Sequence, residues 1–369
     1  MNKQVYMPVR LIAGKDCVRE CASTFAAFGK RCLLVTGRNA ARESGALADV
    51  EAALEAGGVA WTVYNDIRQN PLVSSVVEAG EQARRAEAEF IVGIGGGSAL
   101  DAAKAVAICA CHPDFGAAEL YGRKIPTSAL PVLLVGTTAG TGSEVTGVSV
   151  LTNDADGRKK SISGADCYAA VSFLDPRYTY SVGYDGTVST ALDAFAHATE
   201  SFFSPKRGVL TDSACRRALP ALWRALRTFA ETHALPDEAG RDALYFASID
   251  AGLGINSTGT GFPHTVGYLL TEHCGVPHGK ACTALYDSYL PRAQRFAPDR
   301  FCEYAALFDA DADCVRRVIR ELTDVTLTAS PDEIAAWCAR FGGPVRNFDN
   351  SPGGYDRAQA EADLNALRA

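Results

Sequence analysis

Residues 90–111 read FIVGIGGGSALDAAKAVAICAC. FIVGIGGG (90–97) is a short apolar run of the kind that fills a fully buried parallel strand, and SALDAAKAVAICAC (98–111) reads at helical period. The glycines between them let a backbone approach a diphosphate closely, and the free N–H groups opening the next helix would face the anion. Ser98 can add a hydroxyl donor, and Asp101 is expected to cap the helix. No Gly-Lys-Ser/Thr follows, so this is not a P-loop. Ser98 also stands where the third glycine of G-x-G-x-x-G would be, so that fingerprint is incomplete. Alone, the stretch reads about as well as a glycine-rich strand–helix turn, and its surroundings decide.

Those surroundings alternate. CLLVT (32–36), VAWTVYN (59–65) and LPVLLVGTT (130–138) read as strands, and ESGALADVEAALEAGG (43–58) and VSSVVEAGEQARRAEA (73–88) as helices. VSVLTN (148–153) and CYAAVSFLD (167–175) look like further strands, separated by the turn DADGRK. This rhythm predicts an open parallel sheet with helices on both faces. A second polar turn, GTTAGTGSE (136–144), carries Thr137, Thr138 and Thr141. Two such loops on successive strand ends flank one crevice at the carboxyl edge of a sheet, where open α/β folds bind ligands, and this favours a nucleotide site. CLLVT runs into Thr36-Gly37-Arg38-Asn39. An acidic residue there would select NAD through the ribose 2′-hydroxyl, whereas Gly37 with Arg38 leaves room for a 2′-phosphate. NADP(H) is therefore expected ahead of NAD(H), against the plainer reading of Arg38 as a solvated loop residue.

Beyond about Tyr180 every patterned segment has helical period, and no convincing strand follows Asp175. With 369 residues the chain exceeds a single core, so two domains are expected: 1–180 as an α/β dinucleotide-binding domain and 181–369 as an all-helical one. Asp193 and His197 stand four apart in a helical stretch, which places carboxylate and imidazole on one face. His264 and His278 follow prolines at short breaks in helical sequence. Singly, each has a bland reading as a salt bridge, a core pair or a helix-end residue. Together, one Asp and three His suit Fe(II), Zn(II) or a similar divalent ion and leave room for substrate. His112, His233 and His273 sit in polar contexts and read as surface residues.

The formal net charge of -7 argues against a nucleic-acid surface, which needs a basic face. The hydrophobic fraction of 47% with 21% charged residues is that of a folded, soluble chain. The 12 cysteines are scattered singly without any C-x-x-C, so they read as reduced packing residues rather than a disulfide framework or zinc cluster. The N-terminal stretch MNKQVYMPVRLIAGKD lacks the apolar core of a secretory signal, so a cytoplasmic location is expected. No run of 18 apolar residues suggests a membrane span.

Five motifs occur in an order that resembles the iron-containing (group III) alcohol dehydrogenases: GGGSALDAAK (95–104), TTAGTGSEVT (137–146), LDPRYT (174–179), DAFAHATE (193–200) and PHGKA (277–281). The likeness runs from about residue 10 to NSPGG (350–354). It implies a Rossmann-like N-terminal parallel-sheet domain followed by a helical metal domain, the dehydroquinate synthase-like fold, with the site in the crevice between them. The family's ligand set falls on Asp193, His197, His264 and His278. Its diphosphate contacts fall on Gly96, Gly97 and Ser98, its nicotinamide-side contacts on Thr137, Thr138 and Thr146 and, further, Lys159, and a cofactor-facing position on Asn70 before Pro71. Many NAD-using relatives carry Asp where this chain has Gly37, which again points to NADP(H). Many also carry a histidine four residues after the third ligand. Here that position is Tyr268, so proton relay falls to the cofactor ribose, to water or to Tyr268. Phe262 and Tyr268 flank His264 as candidate pocket residues. The implied reaction passes a hydride between NADP(H) and a small alcohol or aldehyde on Fe2+, with Zn2+ or another ion as the alternative, in a homodimer. Rival readings are a glycerol-dehydrogenase-like or glycerophosphate-dehydrogenase-like enzyme of the same fold with three ligands, a metal-dependent hydrolase or lyase with a vestigial nucleotide site, and a non-catalytic binding protein.

Overall fold

The computed structural model describes residues 4–124 and 127–368, so the first three residues of the N-terminal stretch read above lie outside it. In chain order the strands are β1 (Arg10–Ala13), β2 (Arg31–Thr36), β3 (Ala60–Tyr64), β4 (Phe90–Gly95), β5 (Val132–Gly136), β6 (Val148–Thr152), β7 (Lys159–Ser163) and β8 (Val171–Leu174). Six of them form one parallel sheet in the order β1-β8-β5-β4-β2-β3. β4 and β5 are buried at every position, which is why they read as unbroken Val/Ile/Leu runs. Alternate residues feed two cores: Leu33, Val35 and Ile91 face one side, and Leu34, Val92 and Ile94 the other.

Three expectations shift in detail. β1 and β7 had no counterpart in the sequence reading: RLIA is four residues long at the sheet edge, and KKSIS has only Ile162 as an apolar residue. β6 leaves the main sheet and pairs antiparallel with β7. The helix expected over 43–58 is broken by Gly45 at φ +81, a left-handed conformation that ends Ala40–Glu43 and restarts as α1 (Ala46–Ala56). Two helices, α2 (Val73–Arg85) and α3 (Gly97–Cys111), fall where the pattern put them. Because β2 pairs with β3 on one side and β4 on the other, the chain reverses its winding between β2 and β4. The carboxyl ends of these two strands, Thr36 and Ile94, are in register, and this switch point is where such sheets bind ligands.

The chain divides into two units, Tyr6–Val182 and a second running from Gly183 onward. The second contains α4 (Tyr184–Phe203), α5 (Val209–Thr232), α6 (Glu238–Thr258), α7 (Phe262–Cys274), α8 (His278–Thr283) and shorter helices after them. Among the described residues its only β pairing is an isolated bridge between Leu327 and Arg368. α4 is rich in Ala and Phe all round, and nearly every residue from Thr187 to Phe203 is buried, as in the central helix of a bundle. Most polar side chains between Thr187 and Phe203 are therefore sequestered. No described helix is long and apolar enough to cross a membrane.

Candidate functional site

α4 carries Asp193, His197 and Glu200 along one face. His264 lies in the first turn of α7, and His278 is the first residue of α8. The three imidazole Nε2 atoms of His197, His264 and His278 stand 3.6, 3.4 and 3.7 Å from the single oxygen Asp193 Oδ1. The His197 and His264 rings stack at 4.6 Å. Asp193 Oδ1 and His264 Nε2 are buried without a hydrogen-bond partner, although both residues are only 3% exposed. Polar atoms do not converge in a dry interior without something to bind. Burial would raise the Asp193 carboxyl, but His197, His278 and His264 outweigh it and hold the group far below the usual carboxylate range. Donors about 2.0–2.2 Å from one ion at tetrahedral angles lie roughly 3.3–3.6 Å apart. The spacing, the burial and the carboxylate-plus-imidazole chemistry fit a divalent cation.

Two residues that sequence reasoning did not assign complete the surroundings. Glu200 is fully buried; its Oε1 lies 2.8 Å from His264 Nδ1, and its Oε2 accepts from the Gly261 N–H at 2.6 Å. A carboxylate on Nδ1 keeps the proton there and leaves the Nε2 lone pair facing Asp193. Its signal in the sequence was a carboxylate seven residues after Asp193 on the same helix face. Cys282, also fully buried, lies one turn after His278 with Sγ 3.7 and 3.8 Å from the two ring nitrogens. Its sulfur and donor atoms of Asp193, His264 and His278 all fall within 4.8 Å of one another. Cys282 thus lies beside the candidate ligands, where the expectation had placed every cysteine in packing roles. Burial pushes the Cys282 thiol up to about 11, with His264 pulling it the other way.

The neighbours explain the local sequence. A Cβ on Gly279 would meet Ser189 O at 1.8 Å, so only glycine lets α8 lie this close to α4 beside Asp193. Phe262 is wholly buried and stacks on Tyr355 at 3.7 Å, which makes it core rather than pocket wall. Tyr268, partly exposed, stacks on His278 at 5.5 Å. The remaining histidines lie elsewhere: His112 against Ser128 O, His233 at the end of α5, His273 on the Trp337 ring.

In the α/β unit the two polar loops meet. Thr137 N donates to Gly95 O at 2.9 Å, and a Cβ on Gly96 or Gly97 would crowd Thr138 (3.0 Å) or Thr141 (2.5 Å). Thr137 Oγ1 is buried without a hydrogen-bond partner. Asn70, at φ +57, donates its N–H to Ser98 Oγ at 3.3 Å, and Thr152 N donates to Pro71 O, which ties the β6–β7 hairpin, in which Lys159 pairs with Thr152, to the same corner. Asp101 is not the helix cap. The cap position is Gly96, and Asp101 lies inside α3, where its carboxylate accepts from Ser143 Oγ (2.6 Å) and Val150 N (2.8 Å). Lys104, fully buried one turn on, donates to Ser143 Oγ, Thr146 O and Val148 O at 2.7, 3.0 and 2.8 Å. This pair fastens the second loop onto α3 and sets where buried Thr146 lies. At the end of β2, a Cβ on Gly37 would lie 3.1 Å from Ile67 O, and Asn39 leads into Ala40–Glu43. The Arg38 guanidinium is not a lone basic spot, because its Nε donates to Asp66 Oδ1 at 2.6 Å.

Two family descriptions match the chain: "Iron-containing alcohol dehydrogenase" over residues 8–176, and "Fe-containing alcohol dehydrogenase family, C-terminal" over residues 187–328. A sulfoacetaldehyde reductase of Bilophila wadsworthia is 32% identical over 280 residues, 75% of this chain and 71% of that protein. The crystal structure of an iron-containing alcohol dehydrogenase of Thermotoga maritima superposes with a TM-score of 0.91 at 30% identity, covering 99% of each chain. That of a sulfoacetaldehyde reductase of Bifidobacterium kashiwanohense in complex with NAD+ gives 0.88 at 30% identity, over 100% of this chain and 99% of that one.

Proposed function

The chain belongs to the iron-containing alcohol dehydrogenase family, and from that premise we propose that it passes a hydride between NADP(H) and a small alcohol or aldehyde, with Fe2+ or Zn2+ held by Asp193, His197, His264 and His278. The observation that carries this reading is the convergence of three Nε2 atoms on Asp193 Oδ1 at 3.4–3.7 Å in a buried site. A bound ion supplies Lewis acidity toward the substrate oxygen, and a bound dinucleotide supplies or takes the hydride. The chain's residues do the rest. Asp193 offsets part of the cation's charge, and Glu200 fixes the His264 tautomer. The N–H groups of Gly97 and Ser98 open α3 toward a diphosphate, and Thr137, on the next loop, offers a hydroxyl without a hydrogen-bond partner. His278, whose side chain is 25% exposed against 4–7% for the other two imidazoles, marks the side from which substrate arrives. Tyr268 stacks there, and its phenol is the protein's candidate for proton relay.

Gly37 and Arg38 support NADP(H). The pairing of Arg38 with Asp66 favours NAD(H) as the second reading, since a carboxylate repels a 2′-phosphate and accepts from a 2′-hydroxyl. Short aldehydes, sulfoacetaldehyde included, are the substrate class. A cytoplasmic homodimer is the setting carried over with the family. The fourth donor argues against the three-ligand enzymes of the same fold, and the built nucleotide loops argue against a hydrolase or lyase.

The test is absorbance at 340 nm with NADPH or NADH and a panel of short aldehydes, on metal-stripped protein reloaded anaerobically with Fe(II) or Zn(II). Turnover that returns with metal is expected, and Asp193→Ala and His278→Ala should each lose the ion and at least about 100-fold in kcat/KM. Full metal content and activity in either variant, or no turnover of any aldehyde, would overturn the reading.

A further inference from the structure

Cys282 is placed unlike the other buried cysteines. Cys32, Cys109 and Cys167 lie in the apolar cores on the two faces of the sheet. Cys282 instead lies among donor atoms. Its sulfur is 3.7–3.8 Å from the His278 ring nitrogens and within 4.8 Å of donors from Asp193 and His264. Two of those neighbours, Asp193 Oδ1 and His264 Nε2, are buried atoms with no hydrogen-bond partner. A sulfur at about 2.3 Å and a nitrogen at about 2.0–2.1 Å from a shared ion are roughly 3.5–3.8 Å apart at angles of 109–120°. The Sγ–His278 separations fall at that spacing.

We propose that Cys282 supplies a sulfur donor to the ion held by Asp193, His197, His264 and His278, and that this donor biases the centre toward Zn(II) over Fe(II). The proposal rests on the ligand reading given above. Charge supports it: a carboxylate alone leaves a divalent ion at +1 in a buried site, whereas carboxylate plus thiolate neutralises it. The balance is simple, since the thiol proton leaves to solvent as the S–metal bond forms, with no change in oxidation state. The softer sulfur prefers zinc, and its electron donation tempers the ion's pull on a substrate oxygen. Nothing in the chain's spacing announces this, because a single cysteine four residues after a histidine is commonplace.

The experiment is zinc K-edge absorption on wild-type protein and on Cys282→Ser, each stripped and reloaded with one Zn(II) per chain, with circular dichroism to check the fold. The wild type is expected to show one sulfur scatterer near 2.3 Å beside nitrogen and oxygen. Cys282→Ser should lose the sulfur shell, keep a folded helical unit and bind zinc about 10- to 100-fold more weakly in a chelator competition. A wild-type spectrum with nitrogen and oxygen alone would overturn the role of Cys282 while leaving the four-donor reading intact. A sulfur shell that persists in Cys282→Ser would overturn it too, by locating the sulfur in another cysteine. A wild type that takes up no ion at all would overturn both readings. If Cys282→Ser failed to fold, the wild-type spectrum would still decide.

Discussion

Glu200 shows how a buried carboxylate can set the chemistry of an imidazole at the proposed metal site. Its two oxygens accept from His264 Nδ1 and from the Gly261 N–H, both buried. Glu200→Gln keeps the shape but offers one acceptor to two donors, so one buried N–H goes unmet and the His264 tautomer is no longer imposed. Metal affinity is expected to fall about 10- to 100-fold, and folding stability by about 1–3 kcal/mol. Chelator competition and thermal unfolding measure the two, and an unchanged metal affinity would sink the assignment. A second residue-scale prediction concerns Arg38 and Asp66, side chains exposed to 64% and 46%. Arg38→Ala should shift the ratio of kcat/KM for NADPH over NADH downward, and Asp66→Asn upward. Each shift is expected at about three- to tenfold, shrinking with added salt as exposed charge interactions do. Equal ratios in both variants would remove this pair from cofactor selection.

At the scale of elements, the close approach of α8 to α4 does the most to shape the site, and Gly279 permits it. The atom a new Cβ would meet, Ser189 O, is backbone inside a buried helix and cannot step aside. Gly279→Ala should therefore push α8 outward and carry His278 away from Asp193. The expected result is loss of bound metal with about 3 kcal/mol of destabilisation, read by metal analysis and urea unfolding. Retention of full metal content would mean that α8 is not fixed in this way. The same scale shows what was legible in the sequence. β4 and β5 were readable because burial on both faces demands an unbroken apolar run. β1 and β7 were not, because four edge residues and a mostly polar hairpin strand are defined by their partners rather than by their own pattern. The four proposed ligands stood out through residue type, the i, i+4 spacing of Asp193 and His197, and the family's motifs. Glu200 did not, since its role lies in a contact with a residue 64 positions away. Asp101 misled in the other direction: its place near a helix start suggested a cap, whereas its partners are on the next loop. NSPGG likewise had no reading beyond likeness. In the fold Asn350 Nδ2 donates to Thr258 O and Thr260 O, and Ser351 Oγ accepts from Phe262 N, holding the turn that delivers Gly261 to Glu200.

At the scale of the whole molecule, the cysteine-rich composition predicts how the protein fails in alkali. All 12 cysteines are free thiols, and burial pushes Cys32, Cys109 and Cys167 up to about 12. In the unfolded chain the same thiols ionise near 9. A group whose folded value is raised contributes stability that is intact below the unfolded value and is lost as pH climbs toward the folded one. Between pH 9 and 12 the unfolded chain sheds these protons while the native state keeps them, so stability must fall. At pH 10 each thiol accounts for about 1 kcal/mol, and the three together for about 3–4 kcal/mol. The net charge of -7 at neutral pH grows more negative over the same range, and self-repulsion adds to the loss. The urea midpoint should therefore drop clearly from pH 8 to pH 10 under reducing conditions. Replacing Cys109 with alanine should lower stability at pH 8 through the lost packing, yet flatten the pH dependence by about 1 kcal/mol, the share of one such thiol. A midpoint that holds steady from pH 8 to pH 10 would show that these thiols are not kept protonated by the fold. A Cys109→Ala slope as steep as the wild type's would show that Cys109 is not among the thiols the fold keeps protonated.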